Sequence, residues 1–245
     1  LRDRPVFGLR ATGLESNTVP HQSLDEMMSD YISTIRTTQP TGPYNLLGWS
    51  TGGIFAYEIA RRLLKNEQSV ESLVMLDAPQ PTVFEHVDHS DSARFLTDVV
   101  NFANYFAGSS MQVRYDELRE MSENEALSTV LAVSKEQHVL PPDTSIEHLR
   151  RLVNVCRQHV ILFQAYRPEP CDVTAHLIRP IDSSMLTEAT GQHHEEDFGW
   201  GALADLKMHE ASGYHFTMMT GENAKTLARK LESLLGDRTH AQSTT

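Results

Sequence analysis

A serine at position 50 is framed by glycines in the run Gly48-Trp49-Ser50-Thr51-Gly52-Gly53. An apolar stretch, Tyr44 to Leu47, precedes it, and a helix-like stretch, Ile54 to Leu64, follows. Between a strand and a helix, a G-x-S-x-G string makes a strained turn that lifts the serine hydroxyl above the sheet edge, where it can attack a carbonyl carbon. Glycines at 48, 52 and 53 are expected to remove Cβ atoms that would clash in so tight a turn. The backbone N–H of Thr51, at the start of the helix, would add to the helix dipole in stabilising an oxyanion.

A serine hydroxyl is a poor nucleophile near neutral pH and needs a base that is partly unprotonated there. Histidine suits, with an unperturbed pKa of about 6.5. In the α/β-hydrolase fold, to which such a nucleophile elbow belongs, the catalytic order along the chain is Ser, acid, His. His215 fits the last place, in Gly213-Tyr214-His215-Phe216, after a weak strand signal and before the final helix. His209 falls inside that strand signal, where a structural role is expected. The acid must orient the imidazole and stabilise its charged form. Asp77 ends the apolar run Leu73–Leu76, and Asp182 follows the later run Val173–Ile178. Both would sit at the top of the sheet, so the fold alone leaves both open.

The elements that must carry these residues follow from periodicity. Val6 to Leu9 reads as a short buried strand. Ser23-Leu24-Asp25-Glu26 reads as a capping box opening a helix, with Leu24, Met27, Met28, Tyr31, Ile32 and Ile35 at helical spacing. Gln39-Pro40-Thr41-Gly42-Pro43 stops it. Strand Tyr44–Gly48, helix Thr51–Lys65 and strand Leu73–Leu76 then form a βαβ unit of a parallel sheet. From Val83 to Tyr166 the pattern is helical, with candidates Ser92–Ala107, Ser122–His138 and Ser145–Tyr166. Strand signal returns at Val173–Ile178 and weakly at Leu206–Glu210, before a last amphipathic helix, Glu222–Leu235. The expected architecture is a mostly parallel sheet flanked by helices, with core segments 1–82 and 169–236, a helical lid inserted over 83–168, and an unstructured tail over 237–245.

Composition narrows the class. A chain of 245 residues fits one α/β domain with an insertion, and 40% hydrophobic with 22% charged residues is ordinary for a globular protein. A net charge of −12 argues against nucleic acid or anionic membrane as partner. No apolar stretch is long enough to span a bilayer, and Leu1-Arg2-Asp3-Arg4-Pro5 is no signal peptide. Cys156 and Cys171 make no disulfide framework, so a reducing, cytoplasmic setting is expected, with Cys156 a buried, inert thiol. His86 and His89 with Asp88 and Asp91, and the run His193-His194-Glu195-Glu196, have metal-binding residue types without a known ligand spacing, so no metal is expected. Trp200, Met218 and Met219 read as packing residues.

As a set, Gln39-Pro40-x-Gly42-Pro43-Tyr44, Gly48-Trp49-Ser50-x-Gly52-Gly53, Ala56-Tyr57-Glu58-Ile59-Ala60, Leu76-Asp77-Ala78 and Gly213-Tyr214-His215-Phe216 resemble the terminal thioesterase domains of non-ribosomal peptide and polyketide synthetases. The likeness runs from about Val6 to Leu235 and includes the Tyr166-Arg167-Pro168 element at the end of the lid. In that family the acid follows the strand after the nucleophile helix, so the resemblance implies Asp77, with Asp182 as the alternative. It also implies acyl transfer. A chain tethered as a thioester to the phosphopantetheine of an acyl or peptidyl carrier domain, upstream in the same polypeptide, would pass to Ser50 and leave by hydrolysis or cyclisation. No cofactor beyond that substrate-borne arm is implied. The family carries a further strand and a Gly- or Pro-containing oxyanion loop before the strand matching Val6–Leu9. The resemblance therefore implies that these residues are a piece of a longer polypeptide. A discrete editing thioesterase, a free-standing esterase and a silent carrier-docking module are the alternatives.

Overall fold

The computed structural model describes residues 5–181 and 195–235. Among them, four strands form one all-parallel sheet in the order β1 (Tyr44–Trp49), β2 (Val70–Leu76), β3 (Thr174–Pro180) and β4 (Asp205–Ala211). Both faces of β2 and β3 are covered, which is why Leu73–Leu76 reads as an unbroken apolar run rather than an alternating one.

Helix α1 (Leu24–Thr38) is capped by Ser23, whose side chain accepts from the Glu26 N–H. The Glu26 carboxylate accepts from the Gln22 N–H at 3.0 Å, so the reciprocal half of the expected capping box closes one residue earlier. Helix α2 (Thr51–Lys65) lays Ile54, Tyr57 and Ala60 on Leu73, Met75, Ala175 and Leu177. Burying an aliphatic or aromatic side chain of this size contributes about 1.5–3 kcal/mol. Through Met27, Met28 and Tyr31, α1 packs on Tyr44, Ile59 and Leu63. On the opposite face, Val74, Leu76 and Ile178 meet Leu227 and Leu231 of the C-terminal helix, Gly221–Leu234.

Four helices lie between β2 and β3: α3 (Ser92–Ala107), α4 (Tyr115–Leu118), α5 (Glu123–Glu136) and α6 (Ile146–Ala165). Phe95, Leu96, Val100, Leu127, Val130, Leu149 and Val153 give this block its own core. Ser122 and Glu125 cap α5 reciprocally, as their spacing predicts. The C-terminal helix Gly221–Leu234 is α7.

Two expectations are corrected here. Val6–Leu9 is not a strand: Val6 and Phe7 are 75% and 71% exposed. A short apolar run predicts a strand only where a neighbouring strand offers hydrogen-bond partners, and β1, an edge among the described residues, pairs with β2 alone. Cys156 is exposed on α6 rather than buried, and both cysteines are free thiols. No helix among the described residues is long and apolar enough to cross a membrane.

Candidate active site

Ser50 sits between β1 and α2 with φ 55° and ψ −128°, a region that costs a residue bearing a Cβ about 1–3 kcal/mol. Neighbouring contacts hold it there. Its N–H donates to the Leu76 carbonyl at 2.9 Å, which ties the turn to β2, and its own carbonyl accepts from the Gly53 N–H at 2.9 Å. A Cβ on residue 48 would overlap the Gly52 carbonyl and the Gly53 nitrogen, and one on residue 53 would overlap the Ala78 Cβ. Gly52 departs from expectation: a Cβ there would meet nothing within 4 Å. The turn thus needs two of its glycines for space, not three. Thr51 is the first residue of α2, where helical N–H groups have no intrahelical acceptor.

Asp77 follows β2 directly, one strand over from Ser50. Its φ of 41° is also left-handed, and its N–H donates to the Ile178 carbonyl at 2.8 Å, fixing it to the end of β3 as well. His215 comes from the loop between β4 and α7. Gly213, at φ 92°, turns that loop, and a Cβ there would come within 2.7 Å of the Asn223 amide and 2.8 Å of the Thr217 hydroxyl. The Tyr214 N–H donates to the Thr217 hydroxyl at 3.0 Å, while fully buried Met218 anchors the loop beneath α7.

The structure brings Asp77 and His215 together: Nδ1 of the imidazole lies 2.6 Å from Asp77 Oδ2, and each residue is 3% exposed. That bond turns Nε2 away from Asp77. The ring also packs against Trp49, the residue before Ser50, with centroids 4.8 Å apart. Sequence reasoning overlooked this partner, although its place next to Ser50 was the available signal. At the far end of α3, a Cβ on Gly108 would lie 3.0 Å from the Tyr214 hydroxyl, so the helical block reaches the histidine loop. Asp182, the alternative acid, lies outside the described residues, as do His193 and His194.

The rival histidine is occupied elsewhere. His209 Nε2 lies 3.0 Å from His176 Nδ1 on neighbouring strands, and burial holds both rings below the ordinary histidine value. Asp88 accepts from the N–H and hydroxyl of Ser90, and Asp91 caps α3 and accepts from the Tyr115 hydroxyl. Trp200 is fully buried against Tyr57 and donates to the Ala78 carbonyl at 2.8 Å, so it braces the residue after Asp77.

A second buried charge went unnoticed in the apolar face of α2. Glu58, 1% exposed, accepts from Arg61 at 2.8 and 2.9 Å, from Arg62 at 2.6 Å and from the Tyr166 hydroxyl at 2.7 Å. Burial alone would raise its pKa. The hydrogen bonds from Arg61, Arg62 and Tyr166 outweigh that and hold it below the ordinary carboxylate value. The signal was the pair of arginines three and four residues on. The cluster ties α2 to the end of α6. Nearby, His159 of α6 packs against Phe55 of α2 at 5.1 Å. Burial, with a smaller contribution from His21, holds its pKa down at about 4.

Comparison with known proteins gives the family and the fold. The family model described as "Thioesterase domain" matches residues 1–235. Polyketide synthase PksR of Bacillus subtilis (strain 168) is 30% identical over 232 residues, covering 90% of this chain and 9% of that protein. The crystal structure of holo-AB3403, a four-domain nonribosomal peptide synthetase bound to AMP and glycine, superposes with a TM-score of 0.79 at 29% identity, over 92% of this chain and 17% of that one. The Vlm2 thioesterase domain, solved with a bound dodecadepsipeptide, matches 95% of this chain and 84% of its own with a TM-score of 0.62 at 18% identity. The chain therefore spans only a small part of PksR and AB3403, and nearly the whole of an isolated thioesterase domain. With its parallel sheet, flanking helices and serine elbow, it has the α/β-hydrolase fold and belongs to the thioesterase domain family.

Proposed function

We propose that this domain releases a peptide or polyketide acyl chain from a carrier-protein thioester through an acyl-enzyme on Ser50. The observation that carries the reading is the buried 2.6 Å bond between Asp77 and His215, formed beside the strained serine turn of a chain in the thioesterase domain family.

In the first half-reaction Ser50 Oγ attacks the thioester carbonyl carbon while His215 Nε2 takes its proton. Asp77 holds the proton on Nδ1 and stabilises the imidazolium. The negative charge on the carbonyl oxygen faces the Thr51 N–H and the positive end of α2; losing one such donor typically costs about 3 kcal/mol. Collapse breaks the C–S bond, and the thiolate of the phosphopantetheine arm leaves with the proton from His215. In the second half, water or an amine or hydroxyl of the acyl chain attacks the ester carbonyl. His215 takes that nucleophile's proton and returns it to Ser50 Oγ as the ester opens. The arm belongs to the substrate, and no further cofactor enters the scheme.

The partner in this reading is a carrier domain. It is supported by the small share of PksR and of the four-domain synthetase that this chain spans. The helical block from α3 to α6 acts as a lid, consistent with its contact with the histidine loop at Tyr214.

A fluorophosphonate probe tests the reading. Wild type is labelled and Ser50→Ala is not; an unlabelled wild type indicates a silent docking module instead. With an acyl-pantetheine thioester, a product with the mass of the free acid marks hydrolysis, and one lighter by a water marks ring closure.

A further inference from the structure

We propose that Trp49 is a positioning residue for His215, helping to fix the plane of its imidazole. The inference rests on the triad reading above. The bond from Nδ1 sets where that nitrogen points, whereas the plane of the ring depends on what packs against its face. Three further contacts involving Trp49 constrain it. The indole lies against the imidazole with centroids 4.8 Å apart and planes 31° apart. The indole N–H donates to the His215 backbone carbonyl at 3.3 Å, which holds the loop as well as the ring. Phe216 meets the indole edge-on at 4.9 Å and 84°, so the indole is itself held.

Strand alternation explains why residue 49 can do this. Trp49 is the last residue of β1 and points to the face where Val74, Leu76, Ile178 and Met218 pack against α7. That is the face from which the β4–α7 loop brings His215 over the sheet. Ser50 then turns sharply at φ 55°, so consecutive residues serve the two partners of one proton transfer. An aromatic face also attracts a cation, and the electron-rich indole stabilises the imidazolium formed when His215 accepts a proton. Ring placement matters because an error of about 1 Å in a reacting group costs on the order of 100-fold in rate.

The test compares Trp49→Phe, which keeps an aromatic face, with Trp49→Leu and Trp49→Met, which fill the space without one. The two fillers guard against a folding defect in either. Two quantities are read: kcat and KM on an acyl-pantetheine thioester, and the low-field proton resonance of the His215–Asp77 hydrogen bond in a Ser50→Ala background. The fillers are expected to lower kcat by about 10- to 100-fold with KM little changed, and to broaden the low-field resonance through faster exchange. Trp49→Phe retains the resonance and most of kcat. Fillers that keep both the resonance and the wild-type kcat overturn the proposal. Failure of the triad reading has a different signature, wild-type turnover by Ser50→Ala or His215→Gln, and the resonance is read without any turnover.

Discussion

Asp77 and His215 are 138 positions apart in the chain, yet the Asp77 carboxylate accepts a hydrogen bond from the imidazole at 2.6 Å in a place almost closed to water. A carboxylate so placed selects the tautomer with the proton on Nδ1. Asp77→Asn would present an amide that can instead donate to the ring and favour the wrong tautomer. Turnover of an acyl-pantetheine thioester is expected to fall by about 10³- to 10⁴-fold, by analogy with serine proteases. Asp182→Asn is expected to cost far less. Comparable losses, or the reverse order, would make Asp182 the better acid.

The serine turn separates its glycines. Gly48→Ala drives a methyl into the backbone of Gly52 and Gly53, with no flexible side chain to give way, and is expected to cost several kcal/mol in urea unfolding. Gly52→Ala faces open space in the first turn of α2 and is expected to leave stability unchanged or raise it by about 0.5–1 kcal/mol. Equal losses in the two variants would contradict this account of the elbow.

Glu58 is a buried anion with three donor residues, and Glu58→Gln leaves Arg61 and Arg62 only their ion pairs with Glu169 and Asp25, whose side chains are 72% and 87% exposed. Urea unfolding is expected to show a loss below the ~3–5 kcal/mol that a fully buried pair costs when one side is removed. By contrast, Arg10→Ala breaks a pair whose side chains are 63% and 59% exposed and should not move the urea midpoint. The folded state holds the Glu58 pKa below its ordinary value. Its contribution is therefore complete above the unfolded value, about 4.3, and is lost as pH falls through the lower folded value.

His159 adds a second acid-sensitive window. Its pKa falls from 6.5 to about 4 on folding, so well above pH 6.5 the ring is neutral in both states and adds no pH dependence to stability. Between those values the unfolded chain takes up the proton first, and stability declines as pH falls, by up to roughly 3 kcal/mol in all. Below about 4 the loss levels off. His159→Phe is expected to flatten the fall in melting temperature between pH 7 and pH 5; an unchanged slope would assign that fall to other groups.

Much of this was legible in the sequence where local chemistry and packing agree. The turn glycines and following apolar face delimit α2 at Thr51 and Lys65, and Ser92–Ala107 is bracketed by the Asp91 cap and left-handed Gly108. Other features depend on partners that no local window contains. Val6–Leu9 has strand composition but no strand beside it. Cys156 lies on a helix face that meets solvent, and Gly52 sits in a turn whose crowding falls on its neighbours. Glu58, set among apolar residues, finds its donors only in the fold, where Tyr166 joins Arg61 and Arg62 around it. The acid could be preferred from family resemblance, but only the fold carries the histidine loop across the sheet to Asp77.

Intact-protein mass spectrometry with peptide mapping, after brief incubation with a slowly released acyl-pantetheine thioester, tests the central claim most directly. The account predicts one added acyl mass, mapped to the peptide containing Ser50, accumulating in His215→Ala less than in wild type and absent from Ser50→Ala. An adduct on another residue, or wild-type turnover by Ser50→Ala, would contradict it.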